Sequence, residues 1–409
     1  MSLPPLLALE NGIQRYAWGS PTAIPELLGH EPDGEPVAEL WIGAHPVLPS
    51  TVEVDGRVVG LDRLAAERPG EVLGRAVTDR FDRFPYLAKL LAAGEPLSLQ
   101  AHPSIEQAVA GYEREDAAGV PVNAPDRCYR DRNHKPEIII ALTEFEALCG
   151  FRPVVDAVEL LGRVGGELTR RWIETLETTP PGQGCVDVMA GVLGLGDAAG
   201  AALATEVGAG LGALAAAGDD RWSGTAQLLV EVAALHPTDP GIVVAALLQD
   251  VRLAPGEALF LGAGNLHAYV RGLGVEVMAS SDNVLRGGLT PKHVDVAELC
   301  SVVRPVIEPV PVVHPVEVAP GIHDYPVPVE DFSVARLRPG GGAAEVEVSG
   351  PVVVLVTDGS CAIEAAGAEP SRLGPGDAVL ALPAAGRLRC TGEGTAWAVA
   401  ASPRIQAPS

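Results

Sequence analysis

Leu253-Ala254-Pro255-Gly256-Glu257-Ala258-Leu259-Phe260-Leu261 reads as a Pro-Gly-acid turn feeding an apolar strand, and Leu373-Gly374-Pro375-Gly376-Asp377-Ala378-Val379-Leu380-Ala381 repeats the pattern. Pro presets φ for the second turn position and Gly accepts the left-handed backbone of the third, so both stretches predict tight turns between antiparallel strands. Such turns among short strands are what a double-sheet jelly roll uses. Twelve residues after the Pro, the first copy has His267 and the second has Arg387. If the copies are related, only the first offers an imidazole there, which predicts one chemical barrel and one structural barrel.

Working outward, three textures follow one another. Residues 1–152 mix short apolar strands with turn signals, as in Glu39-Leu40-Trp41-Ile42-Gly43 and Ile138-Ile139-Ile140. Residues 153–250 change to helical periodicity, as in Val154 to Val164 and Ala226 to Leu235, broken at Pro180-Pro181-Gly182 and His236-Pro237. From 251 short strands return. The expected fold is mostly β with a helical insertion: two jelly-roll (cupin-like) barrels plus an α-helical domain. The expected division is a catalytic barrel from 1–152 completed by 251–320, a helical domain at 153–250, and a C-terminal barrel without a metal site at 321–409.

Composition narrows the function. A chain of 409 residues suggests two or three domains, and a net charge of −24 argues against a broad nucleic-acid or anionic-membrane surface. The six Cys are scattered without a CxxC pair, so neither a disulfide scaffold nor a zinc knuckle is expected. Met1-Ser2-Leu3-Pro4-Pro5 has no basic or long apolar signal region, and the small-residue stretch 198–217 carries Glu206. The expectation is a cytoplasmic protein without a membrane partner. Of 29 basic residues only Lys89, Lys135 and Lys292 are Lys. A chain that otherwise uses Arg keeps Lys where a compact, rotatable ammonium is needed.

Three polar clusters carry the chemistry. In Ser98-Leu99-Gln100-Ala101-His102-Pro103 an extended chain turns Ser98, Gln100 and His102 to one face. Alone, this reads more readily as a His capping a turn before Pro103. In Tyr129-Arg130-Asp131-Arg132-Asn133-His134-Lys135-Pro136-Glu137, Lys135 and Glu137 share a face at the mouth of a strand that must be buried. A carboxylate there needs a cation or a metal, or it is half of a surface pair on an edge strand. In the third, His267 and Tyr269 share a strand face, Glu276 follows, and Asp282-Asn283 and Gly287-Gly288 bracket Arg286 ahead of Lys292. Together the clusters offer Gln, His, Glu and His from three strands, a mixed N/O set suited to Zn²⁺ or another divalent ion with open positions. With Lys and Arg close by, an anionic hydroxy-carbonyl compound such as a sugar phosphate is the natural substrate class.

The run Tyr129 to Glu137 resembles the Tyr-x-Asp-x-Asn-His-Lys-Pro-Glu signature of type I mannose-6-phosphate isomerases, and His267 to Lys292 is similar to that family's second signature. Ser98 to Pro103 and Tyr16-Ala17-Trp18-Gly19 match too. Gly287 departs, where Ala is expected, and the change should loosen the loop beside Arg286. The resemblance implies one zinc per chain held by Gln100, His102, Glu137 and His267, with Arg286 as the catalytic arginine. It implies a pocket lined by Tyr269, Lys135, Lys292, Glu276 and Asp282, and a monomer. The implied reaction interconverts mannose 6-phosphate and fructose 6-phosphate through a cis-enediol, supplying mannose metabolism and GDP-mannose. His134, Glu276 and Asp282 are all candidates for moving the proton; Lys89 and Ser98 are candidate phosphate contacts. The alternatives are a non-catalytic sugar-phosphate-binding jelly roll, an isomerase of glucose 6-phosphate, and a non-haem oxygenase, against which Gln100 as an extra ligand speaks.

Overall fold

The computed structural model describes residues 2–218 and 221–401. The chain is mostly β with several helices. Residues 402–409, the end of the expected C-terminal unit, and Met1 lie outside the described residues.

The twin turns found in the sequence form twin structures. Glu257 N donates to Ala254 O at 2.9 Å while Ala254 N donates to the Glu257 carboxylate at 2.9 Å. Asp377 N and Gly374 N make the same two bonds with Gly374 O and Asp377, at 3.0 and 2.8 Å. Gly256 and Gly376 have φ of +93° and +87°, which side-chain-bearing residues rarely adopt. The turns lead into Ala258–Leu261 and Ala378–Ala381. His267 then opens the 13-residue strand His267–Ala279, and Arg387 opens the 14-residue strand Arg387–Ala400.

Among the described residues the ladders build an 11-stranded sheet, a nine-stranded sheet and a two-stranded ribbon, all antiparallel. The larger sheet runs Val312–Val313, Ala258–Leu261, Glu137–Ala141, His267–Ala279, Tyr86–Ala93, Glu39–Gly43, Gly12–Gln14, with side branches through Phe145–Phe151, Gln100–Ala101 and Leu285–Arg286. A bulge between Tyr269 and Arg271 lets the long strand pair first with Phe145–Phe151 and then with Glu137–Ala141, so it bends from one layer into the next. The smaller sheet contains Val352–Ala365, Arg387–Ala400 and Ser333–Leu337, and it also takes Leu6–Leu9, which pairs with Ala378–Ala381. The first strand of the chain therefore lies with the C-terminal strands and not with the rest of 1–152. Two barrels were expected, but no closed barrel forms among the described residues. Each sheet ends on edge strands, and the sheets bury one face against each other instead of closing.

Strand alternation decides which side chains reach the site. Leu40, Ile42, Ala88, Leu90, Ile138, Ile140, Val275 and Val277 face the smaller sheet and pack on Val353, Leu355, Leu380, Trp397 and Val399. The intervening Glu39, Trp41, Lys89, Glu137 and Glu276 are therefore presented on the opposite face. The helices Val154–Val164, Pro181–Leu193, Asp197–Ala217 and Ser223–Leu235 form a core that takes in Leu99, Ala101, Leu148 and Leu285 from the sheet. Asp197–Ala217 is long and apolar enough to cross a membrane by length and composition alone; here Leu203, Val207 and Leu211 are buried in the helical core.

Candidate metal centre

Burial of Leu99 and Ala101 against the helices turns Gln100 and His102 the other way. A capping box then fixes the chain as it leaves the strand: Ser104 Oγ accepts Gln107 N at 3.3 Å, and the Gln107 side chain accepts Ser104 N at 2.9 Å. Gln100 stands opposite His267 in the ladder. His102, Glu137 and His267 are all buried, and their candidate ligand atoms lie within 4.8 Å of one another. Glu137 Oε1 is 3.1 Å from His267 Nε2, and Glu137 Oε2 is 3.5 Å from His102 Nε2.

The second nitrogen of each ring identifies the tautomer. His102 Nδ1 is 2.7 Å from Asn283 O and His267 Nδ1 is 3.1 Å from Asn265 O. A carbonyl can only accept, so each Nδ1 carries hydrogen, and in the neutral ring Nε2 then turns a lone pair towards the carboxylate. Lone pair against anion is unfavourable unless a cation lies between them. Lys135 Nζ supplies positive charge on one side, 3.0 Å from Glu137 Oε2 and 3.5 Å from His102 Nε2. His267 Nε2 and Glu137 Oε2 are buried without a hydrogen-bond partner of sound geometry. Two imidazoles, a carboxylate and the nearby amide of Gln100 fit a divalent ion of the zinc type. Burial pushes the Glu137 carboxyl up, but the Lys135 ammonium leads the opposing effects that hold the group well below the usual range. Burial, reinforced by Lys135, lowers His102 to about 4, which keeps the ring neutral and able to ligate.

Beside this group lies a buried carboxylate–ammonium–carboxylate row. Lys89 Nζ is 2.9 Å from Glu276 and 3.3 Å from Glu39, and 5.3 Å from the centroid of the Trp41 ring, whose Nε1 donates to Glu39 at 2.7 Å. Burial works against the Lys89 charge, yet Glu276 and Glu39 more than compensate and raise its pKa. Glu276 is raised as well, by burial first and by Glu137 and Glu39 against the pull of Lys89. Tyr269 donates to Glu137 at 3.4 Å.

Two adjoining cavities of about 600 and 540 Å³ open in front, sharing Glu39, Lys89, Lys135, Arg286 and Lys292 in their walls. Ser98, Gln100, Tyr269 and Glu276 line the second; Asp282 lines the first. Arg130, Arg286 and Lys292 form a cationic wall with no ion pair among the described residues. Burial and the charge of Arg130 lower Arg286; burial, Arg286 and Arg130 lower Lys292. Asp282 is half-exposed and bonded to His45 at 3.3 Å. Burial would raise it, but the His45 bond leads the opposing effects that lower it.

Two expectations change. His134 lines neither cavity: its Nε2 is 2.9 Å from Asp331, on the other side of the segment. Gly287 is not loose: its N–H donates to Leu99 O at 2.7 Å, and a Cβ would meet Leu99, Leu266 and Leu299 at 3.2–3.5 Å. Glu39, Trp41, His45 and Arg130 were not singled out from the sequence as site residues. A carboxylate two residues from Trp41 in an otherwise apolar strand was the available signal for the first pair.

Residues 6–154 match the family model for the phosphomannose isomerase type I catalytic domain. The chain is 39% identical over 328 residues to mannose-6-phosphate isomerase of Escherichia coli (strain K12), covering 80% of this chain and 82% of that one. It is similar to the crystal structure of a variant of phosphomannose isomerase from Salmonella typhimurium, with a TM-score of 0.89 at 32% identity over 97% of this chain and 99% of that one. A zinc-bound crystal structure of mannose 6-phosphate isomerase superposes with a TM-score of 0.88 at 33% identity and the same coverage.

Proposed function

Since the chain belongs to the type I mannose-6-phosphate isomerase family, we propose that its cleft interconverts mannose 6-phosphate and fructose 6-phosphate with one zinc held by His102, Glu137, His267 and Gln100. The observation that carries this reading is the buried His102–Glu137–His267 group, with both Nε2 lone pairs turned to one carboxylate beside a cationic wall. Zinc, when bound, polarises the sugar carbonyl and favours charge on its oxygen.

The residues supply the rest. The reaction moves a proton between C2 and C1 of the open-chain sugar through a cis-enediol. Of the three candidates for moving it, Glu276 fits best. It is buried and its pKa is raised towards the working range of a general base. Asp282 is held low by His45, and His134 is committed to Asp331. Lys89 keeps Glu276 in place and compensates its charge. Lys135 does the same for Glu137. Arg286 stabilises the negative charge that develops on O1 and O2, and Tyr269 orients Glu137. The phosphate is taken by Arg130 and Lys292 with Ser98. Lys89, a phosphate contact in the sequence reading, is already engaged by two carboxylates. A second reading makes Arg286 part of the phosphate clamp, because Arg130 and Lys292 are its neighbours.

In the same reading the sheets are two jelly-roll units, 1–152 with 251–320 and 321–409, separated by the helical unit 153–250. The twin turns support that division, with Leu6–Leu9 lent to the second unit. The protein acts as a cytoplasmic monomer with no nucleic-acid or membrane partner, and its charge of −24 favours that view. An assay of zinc-loaded protein against mannose, fructose and glucose 6-phosphates tests the proposal. Turnover of glucose 6-phosphate alone, or of none, would overturn it.

A further inference from the structure

The segment Tyr129–Glu137 brings Lys135 and Glu137 to the metal group, and its two ends are secured differently. The first half is held by Asn283, which lies between the strands His267–Ala279 and Leu285–Arg286. Asn283 Oδ1 accepts Arg130 N at 2.7 Å, and Asn283 Nδ2 donates to Asp131 O and Asn133 O at 2.8 Å each. Ala279 N donates to Pro136 O at 3.0 Å. Between Asn133 and Pro136, Lys135 turns inward to Glu137 and His102, whereas His134 reaches out towards the smaller sheet. Its Nε2 meets Asp331 Oδ2 at 2.9 Å, across 197 residues of sequence. Asp331 stands just before Ser333–Leu337 of the smaller sheet and is 5% exposed. A carboxylate so buried is stable there only with a partner, so the pair is costly to separate.

We propose that Asp331 is a positioning residue for the metal centre: by holding His134 it fixes the backbone that delivers Lys135 and Glu137. The smaller sheet, which contributes no ligand, thereby acts on the chemistry of the larger one. The proposal rests on the metal reading above. A carboxylate behind a ligand-bearing segment tunes affinity by restricting the ligand's orientation, as groups outside the ligand set commonly do.

The test measures zinc release from the loaded, full-length protein with a chromogenic chelator, alongside circular dichroism and thermal unfolding. Asp331→Ala should release zinc about tenfold faster than wild type, the lower end for loss of such support. His134→Ala should do the same, and the double variant should be no worse than either single one, because the two residues act as a unit. Wild-type release from Asp331→Ala, or effects that add in the double variant, would overturn the proposal. Asp331→Asn keeps the volume and serves if the Ala variant fails to fold: faster release supports the proposal and an unchanged rate overturns it. A wild-type protein that retained no zinc would sink the metal reading itself, and this inference with it.

Discussion

Arg286 stands opposite Gln100 in the two-residue ladder between Leu285–Arg286 and Gln100–Ala101, and Gln100 stands opposite His267. The guanidinium is thus anchored one strand away from the metal group, on backbone shared with a ligand candidate. An interaction made mainly in the transition state lowers kcat and kcat/KM together when removed. Arg286→Ala should fold, bind zinc and keep KM for mannose 6-phosphate within a few-fold, while kcat falls roughly 100- to 1,000-fold, about 3–4 kcal/mol. Steady-state kinetics decides the matter. A defect carried by KM would make Arg286 a phosphate anchor.

Lys89 lies between Glu276 and Glu39 and lowers the Glu276 pKa that burial raises. Removing the ammonium lets that pKa rise further, so Glu276 stays protonated, and idle as a base, to higher pH. In Lys89→Met the acid limb of kcat/KM should move upward by about 1–2 pH units. An acid limb that stays where it was would show that Glu276 is not the group that titrates.

The three lysines should now behave differently when changed to Arg. Lys89 lies between two carboxylates and Lys135 is held between Glu137 and His102, where a planar guanidinium does not fit the ammonium's place, and activity should fall by at least about tenfold. Lys292 is exposed at the rim, and Lys292→Arg should stay within a few-fold of wild type. Kinetics of the three variants checks this, and an equal loss at Lys292 would contradict it.

Chelation should abolish isomerisation and added Zn²⁺ should restore it, as followed by a coupled assay and metal analysis. Full turnover in protein proven metal-free would remove the ground for a zinc enzyme.

The twin turns give a matched control. His267→Ala should lose metal and activity. Arg387→Ala, at the equivalent strand start and with its side chain bonded among the described residues to part-exposed Glu345 at 3.4 Å, should leave the rate near wild type and stability within about 0.5 kcal/mol. Comparable losses in both would contradict the division into one chemical and one structural sheet.

Much of the site was legible because strand alternation is a local property. Leu99 and Ala101 had to be buried, so Gln100 and His102 had to face away from them, and the same rule brought His267 and Tyr269 together. Applied to Glu39-Leu40-Trp41, it would also have found the partner of Lys89. His134 was assigned to the pocket because a loop has no such alternation; its direction is set by where Asp331 lands, 197 residues later. Closure of the expected barrels was not legible for a related reason. A Pro-Gly-acid turn specifies a hairpin, whereas closure depends on which edges meet, and that is decided over the whole chain.

Leu6–Leu9 has consequences for how the protein is made. Its ladder partner, Ala378–Ala381, is synthesised last but for the final strand, and Tyr86 likewise bonds to the carbonyls of Pro351 and Val399. Leu7 and Leu9 also enter the core between the sheets. A nascent chain emerging from the ribosome therefore exposes the apolar underside of its catalytic half until nearly all of it has been translated. Contacts so distant in sequence slow folding and lengthen that exposure. Quality-control proteases and chaperones would meet a premature stop near the C-terminus as an uncovered apolar sheet, not as a smaller working enzyme.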